Sequence, residues 1–192
     1  MKMSVRQPLL LVALAGLLST TGCVSAVKQA YYEVKGAQGD VRPNIAIGDL
    51  ALSSYNAITV DPVKTTLAGK LCPTEVVRAM DAAMRGMKED LNADFSGDGK
   101  SLRLSTEIYY FQKKGILSGG MLVVRLYALE DDRTVADALV LGETNSFRER
   151  GEEDLAQAAT GAIAEFLLKH HYSDSEKPIK EYRKRRGKSN ES

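Results

Sequence analysis

The hydrophobic pattern changes its period along the chain. Leu9 to Leu18 is an unbroken apolar run, residues 24–56 hold no steady period, 73–91 repeat as a helix, 102–147 alternate as strands, and 152–170 repeat as a helix again. Over 73–91, Val77, Met80, Met84, Met87 and Leu91 recur at intervals of three and four and form one stripe. Pro73 suits the first turn of that helix, and Glu75 suits its positive dipole end. The stripe reads as core, although methionines in a row also suit an adaptable binding surface. Over 152–170, Leu155, Ala159, Ala162, Ile163 and Phe166 form a second stripe. Glu152, Glu153 and Asp154 crowd its start, and Lys169, His170 and His171 its end, both of which suit the helix dipole.

The strand pattern starts with Ala57 to Val60, a short β-rich run closed by Asp61-Pro62. In 102–111, Leu102, Leu104, Thr106, Ile108 and Tyr110 share one face, and Arg103, Ser105, Glu107, Tyr109 and Phe111 the other. In 121–129, Leu122, Val124, Leu126 and Ala128 make a fully apolar face, while Met121, Val123, Arg125, Tyr127 and Leu129 make a mixed one. Glu130 to Arg133 reads as a hairpin turn into a return strand over 134–147. The order β-α-β-β-β-α predicts an α+β domain over residues 53–171. Its expected form is a mostly antiparallel four-strand sheet with two helices on one face. Residues 23–52, broken by Gly36, Gly39, Pro43 and Asn44, read as an N-terminal linker with some pairing near Ile45 to Leu52. Residues 172–192 hold almost no apolar side chains and read as a disordered basic tail.

The apolar run near the front alters this picture. Lys2 and Arg6 precede it, and Ser19, Thr20, Thr21 and Gly22 follow it. Ten apolar residues are about half of the ~20 that span a bilayer core, so residues 1–22 read as an export signal. The stretch Leu18-Ser19-Thr20-Thr21-Gly22-Cys23 resembles a bacterial lipoprotein lipobox, with Thr20 where that family usually has Leu. The resemblance implies a diacylglyceryl group on Cys23, cleavage before it and acylation of the new amine. Two or more acyl chains anchor a protein stably to a bilayer. Val24 after the cysteine implies, by the same resemblance, the periplasmic face of the outer membrane. The alternative is an ordinary secretory cut that leaves Cys23 a plain thiol.

Charge and composition then narrow the chemistry. The chain has 26 basic and 25 acidic residues, two His, two Cys and no Trp. The tail 173–192 is basic and the body before it mildly acidic, which gives no nucleic-acid footprint. Gly99-Lys100-Ser101 resembles the end of a P-loop, but Asp94 stands where the first Gly belongs. Asp94, Ser96 and Asp98 resemble half of a calcium loop, but Ser105 stands where a bidentate Glu belongs. A polar turn explains both. His170 and His171 are adjacent, so on a helix they diverge by about 100° and share no ligand position. Cys72 reads as a buried small side chain. No nucleophile elbow or Cys–His pair is evident, and the expectation is a protein that is not an enzyme, with no metal and no cofactor.

With both helices on the face of Leu104, Ile108, Val124 and Leu126, the other face carries Tyr109, Phe111, Val123, Arg125 and Tyr127. Aromatics beside an Arg are enriched at interfaces, so this face is the candidate partner surface, for another envelope protein or for the chain's own N-terminal segment. The basic tail offers a second contact, with anionic lipid, or is a solvated end. A leader ending in Gly22-Cys23, then Tyr55 to Val60, a helix and a strand–hairpin–helix close resembles small bacterial lipoproteins, many without an assigned function. In outline it is similar to the periplasmic α/β domain of curli-secretion lipoproteins and of lipoprotein activators of peptidoglycan synthases. The resulting expectation is a membrane-tethered envelope adaptor or assembly factor. The alternatives are a carrier of a small apolar ligand and an unrecognised hydrolase.

Overall fold

The computed structural model describes residues 36–44, 52–115, 119–144, 151–173 and 175–189. The leader and Cys23 lie outside the described residues. Among the described residues, six strands form one sheet: β1 (Gln38–Pro43), β2 (Tyr55–Val60), β3 (Lys64–Thr65), β4 (Lys100–Gln112), β5 (Gly120–Glu130) and β6 (Arg133–Thr144). Three α-helices among these residues accompany it: α1 (Thr74–Leu91), α2 (Glu152–His171) and α3 (Glu176–Ser189).

The strands run in the order β1-β6-β5-β4-β2, with β3 also beside β4. The β4–β5–β6 meander is antiparallel, as its alternation requires. Two features depart from the expected four-strand sheet. β2 and β3 pair parallel to β4, with α1 as the crossover. β1, inside the expected linker, pairs antiparallel with β6 at the edge of the sheet. Pro43 is tolerated there. Asn44 sends its N–H to the Asp137 carbonyl, so Pro43 faces the unpaired edge, where no donor is needed.

The fold is therefore mixed α and β, with the helices on one face of the sheet. Leu102, Leu104, Ile108, Leu122, Val124, Leu126, Ala138 and Val140 are wholly buried beneath them. Each such Leu or Val contributes about 1.5–3 kcal/mol. The buried stripe of α1 is Val76, Met80, Met84, Met87 and Leu91, so Val76 replaces Val77 in the expected set. The two glycines at the edge, Gly39 and Gly142, let α2 approach the sheet backbone. A Cβ on Gly39 would stand 2.1 Å from the Ala158 carbonyl oxygen, and one on Gly142 2.6 Å from that of Leu155. The β5–β6 turn has positive φ at Asp131 (45°) and Asp132 (67°), the two-residue turn that matches strand twist.

The C-terminal segment departs most from expectation. Residues 176–189 are helical, and Tyr182 is 1% exposed. Tyr182 and Ile179 supply nearly all the apolar contact of α3, and polar contacts surround them. Arg183 forks onto Glu165 at 2.6 Å through both nitrogens, Arg185 reaches Asp94 at 2.9 Å, and Arg186 donates to the Gln157 carbonyl. The basic charge that suggested a solvated or lipid-seeking tail thus fastens the helix to the domain. The long arginine stems add apolar cover that a residue-type count misses. Asp94, the first residue of the resemblance to a calcium loop, also accepts from Tyr172, so it serves as an anchor for this segment. No described helix is long and apolar enough to cross a membrane.

Candidate functional site

Antiparallel register sets the open face of the sheet row by row. Gln38, Glu143, Met121 and Gln112 make one row; Asp40, Leu141, Val123 and Tyr110 the next; Arg42, Leu139, Arg125 and Glu107 a third; Asp137, Tyr127 and Ser105 a fourth. Met121, Val123, Leu139 and Leu141 are each half-buried, with no described helix above them.

A bulge decides which aromatics join this face. The β4–β5 register slips between Ile108 and Tyr110, so Tyr109 is the extra residue. Tyr109 and Tyr110 therefore both stand on the open face, 39% and 45% exposed. Phe111 falls opposite Leu122 and packs against the core on the covered face. The expected set is corrected accordingly: Tyr109, Val123, Arg125 and Tyr127 share the open face, Phe111 leaves it and Tyr110 enters. Strict alternation could not find the slip. The run of three aromatics, Tyr109 to Phe111, was the available sign that period two fails there.

Arg125 organises the centre of the face. Its guanidinium donates to both Asp137 carboxylate oxygens, at 2.9 and 2.7 Å, and to the Tyr109 hydroxyl at 3.1 Å. It also lies 4.7 Å from the Tyr127 ring centre and 5.8 Å from that of Tyr109. Asp137 is 7% exposed although it stands on the open face, because Arg125 and the Asn44 amide cover it. Arg125 holds the Asp137 carboxyl below the usual carboxylate range. Hydrogen bonding with Tyr109 and partial burial push the Tyr127 hydroxyl up to about 12. A planar cation is thus pinned among tyrosines at neutral pH, its charge offset by one carboxylate. Such a cluster can stack and hydrogen-bond a partner. Asp137, Asn44 and Tyr110 were not placed on this face from the sequence: an acid on a strand gives no sign of which cation covers it, Asn44 read as part of a linker, and alternation put Tyr110 on the covered side.

Other chemistry-bearing residues serve the scaffold. His171 contacts the Leu52 carbonyl at 3.1 Å and lies 4.5 Å from the Phe95 ring, whereas His170 lies against Phe166. Cys72 is buried, and burial pushes its thiol up. Glu130 gathers Lys100, Arg133 and Tyr55 at the hairpin end, and these partners, Lys100 first, hold its carboxyl down to about 2. Among the described residues, no group of His, Cys, Asp and Glu is placed to hold a metal. A groove of about 760 Å³ lies between α1 and α2, lined by Ala82, Ala83, Gly86, Glu152, Thr160 and Tyr182 among others.

No protein family matches the chain, and no curated protein does. Two solved structures of the PelC dodecamer from Paraburkholderia phytofirmans, one of them of a point variant, are similar to it at a TM-score of 0.41. They share 13% and 14% identity with it and span 68% of this chain and 97% of theirs.

Proposed function

We propose that the protein is a membrane-tethered bacterial envelope lipoprotein that works as a non-catalytic adaptor, docking another envelope protein on its open sheet face. The observation that carries the reading is the Tyr109–Tyr110–Arg125–Tyr127 cluster. These are anchor-type residues, and no described element covers them. The leader and the Leu18 to Cys23 stretch support the tether, with lipid on Cys23 and the periplasmic face of the outer membrane as its place. Carriage of an apolar ligand and hydrolysis remain the alternatives.

Photo-crosslinking in intact cells tests the docking. A crosslinker at position 110 should form a defined protein adduct, and one at Leu71, exposed in the turn before α1, should not. The Tyr127→Ala variant should lose the adduct while staying folded. Equal labelling from both positions, or an adduct indifferent to Tyr127→Ala, overturns the docking. Intact-mass measurement of protein from its native host should show a diacylglyceryl-modified Cys23 as the first residue, and a bare thiol overturns the tether.

A further inference from the structure

We infer that the outward face of α3 is a membrane-contact surface, whose lysines rest on the anionic headgroups of a lipid bilayer. The basic residues of α3 divide into two sets. Arg183, Arg185 and Arg186 are engaged by the domain, through Glu165, Asp94 and the Gln157 carbonyl. Lys177, Lys180 and Lys184 are not. They recur at i, i+3 and i+7, a single helical stripe. At 100° per residue, each falls about 140–160° around the helix from Tyr182, which faces the domain.

All three lysines are exposed. Lys180 pairs with Glu176 of the same helix, and Lys177 and Lys184 have no ion-pair partner among the described residues. Glu176 and Glu181 are the acids beside the stripe, and α3 as a whole holds seven basic residues to these two. Lysine suits such a surface. Its ammonium is a compact charge on a flexible stem and needs no planar fork of the kind Arg183 uses on Glu165. Near an anionic leaflet each Lys strengthens binding about fivefold.

The place of α3 in the fold supports the same surface. Tyr182 and Arg186 enter the groove between α1 and α2, so α3 lies outside the helix layer, on the far side of the domain from Arg125 and Tyr127. Lys180 and Arg183 also line a second groove, of about 450 Å³, with Gly39 and Asp40 of β1. β1 is the first described strand after Cys23, so α3 adjoins the strand nearest the tether along the chain. With the stripe on the bilayer, the open sheet face turns away from the membrane and is left clear for a partner. That orientation rests on the lipoprotein reading above, whereas the attraction of the stripe for anionic lipid does not.

Lysine acylation on the full protein from its native host tests the inference. The protein is mixed with vesicles of phosphatidylcholine alone, or of equal parts phosphatidylcholine and phosphatidylglycerol, and the acylation rate of each lysine is read by mass spectrometry. Lys177, Lys180 and Lys184 should react about fivefold more slowly on the anionic vesicles than on the neutral ones. Lys64 on β3 and Lys113 just after β4, both exposed, should react alike on the two. The protection should vanish near ~1 M salt, where the Debye length falls to ~3 Å. Lys177→Gln with Lys184→Gln should release Lys180, whereas Lys177→Arg with Lys184→Arg should keep it protected. Equal rates on the two vesicles overturn the inference. So does protection that survives high salt or the glutamine pair, since charge then does not give it. Protection by inorganic phosphate with no vesicle present also overturns it, since the stripe then binds free anions. Retention on neutral vesicles reads the Cys23 lipid, and the crosslink at position 110 reads the partner face, so the three proposals fail separately.

Discussion

Tyr182 is the most deeply buried described side chain of α3, and removing it tests how much of the helix's attachment rests on it. A tyrosine buries at least ~150 Å², which at ~25 cal/mol/Å² amounts to about 4 kcal/mol of docking free energy. The surrounding ion pairs are partly exposed, Arg183–Glu165 at 64% and 31% and Arg185–Asp94 at 42% and 12%. Such pairs contribute roughly 0.2–1 kcal/mol each. An isolated helix of this length is marginal in water, so the ion pairs alone should not keep it folded. Tyr182→Ala should therefore raise exchange of the 176–186 amides by about a thousandfold and expose Lys180, Lys184 and Arg185 to trypsin. Tyr182→Phe, which keeps the ring, should leave both unchanged. The pH dependence offers a second readout. Burial pushes the Tyr182 hydroxyl up to about 12, above the ordinary 10 of the undocked state. The neutral form is the docked one, so docking is at full strength below pH 10 and weakens by about 1.4 kcal/mol per unit as pH rises from 10 to 12. A Tyr182→Ala protein whose 176–186 amides stay protected would refute the reasoning and assign the docking to the arginines.

Three further outcomes follow from particular contacts. Thr106 is buried and its hydroxyl finds no partner among the described residues, so Thr106→Val should stabilise the domain by about 1 kcal/mol in urea unfolding; a loss of stability would reveal a hidden partner. Gly39→Ala drives a methyl into the α2 backbone and should destabilise by roughly 1–3 kcal/mol, with exchange of the β1 amides rising first. The Asp137 carboxyl is held below its ordinary range by Arg125. Its stabilisation is therefore present above the ordinary carboxylate value and is lost as pH falls through the depressed one. Asp137→Asn should cost about 1–2 kcal/mol at pH 7, the cost should shrink as pH falls through the depressed value, and a cost independent of pH would remove the Arg125 pair from the account.

The long elements were legible in the sequence because each buries one face against a continuous partner. Met80 to Leu91 on α1, Leu155 to Phe166 on α2, and the alternation through Leu104, Ile108, Val124 and Leu126 are local periods, and burial preserves them. Half of the candidate site was legible too: Arg125, Tyr127, Val123 and Tyr109 follow from alternation within β4 and β5.

What the sequence left undetermined depends on contacts between residues far apart in the chain. The slip at Tyr109 exchanges Phe111 for Tyr110 on the open face, since register is settled by the partner strand and not by the strand itself. Asp137 needs Arg125, twelve residues away along β5 and β6, and Asn44, just beyond a strand that alternation had left in a linker. The helix of residues 176–189 looks like a solvated tail until Glu165 and Asp94 take its arginines and the groove between α1 and α2 takes Tyr182. A single side chain entering a hole made by two other elements leaves no period behind it, so only the tertiary structure could decide it.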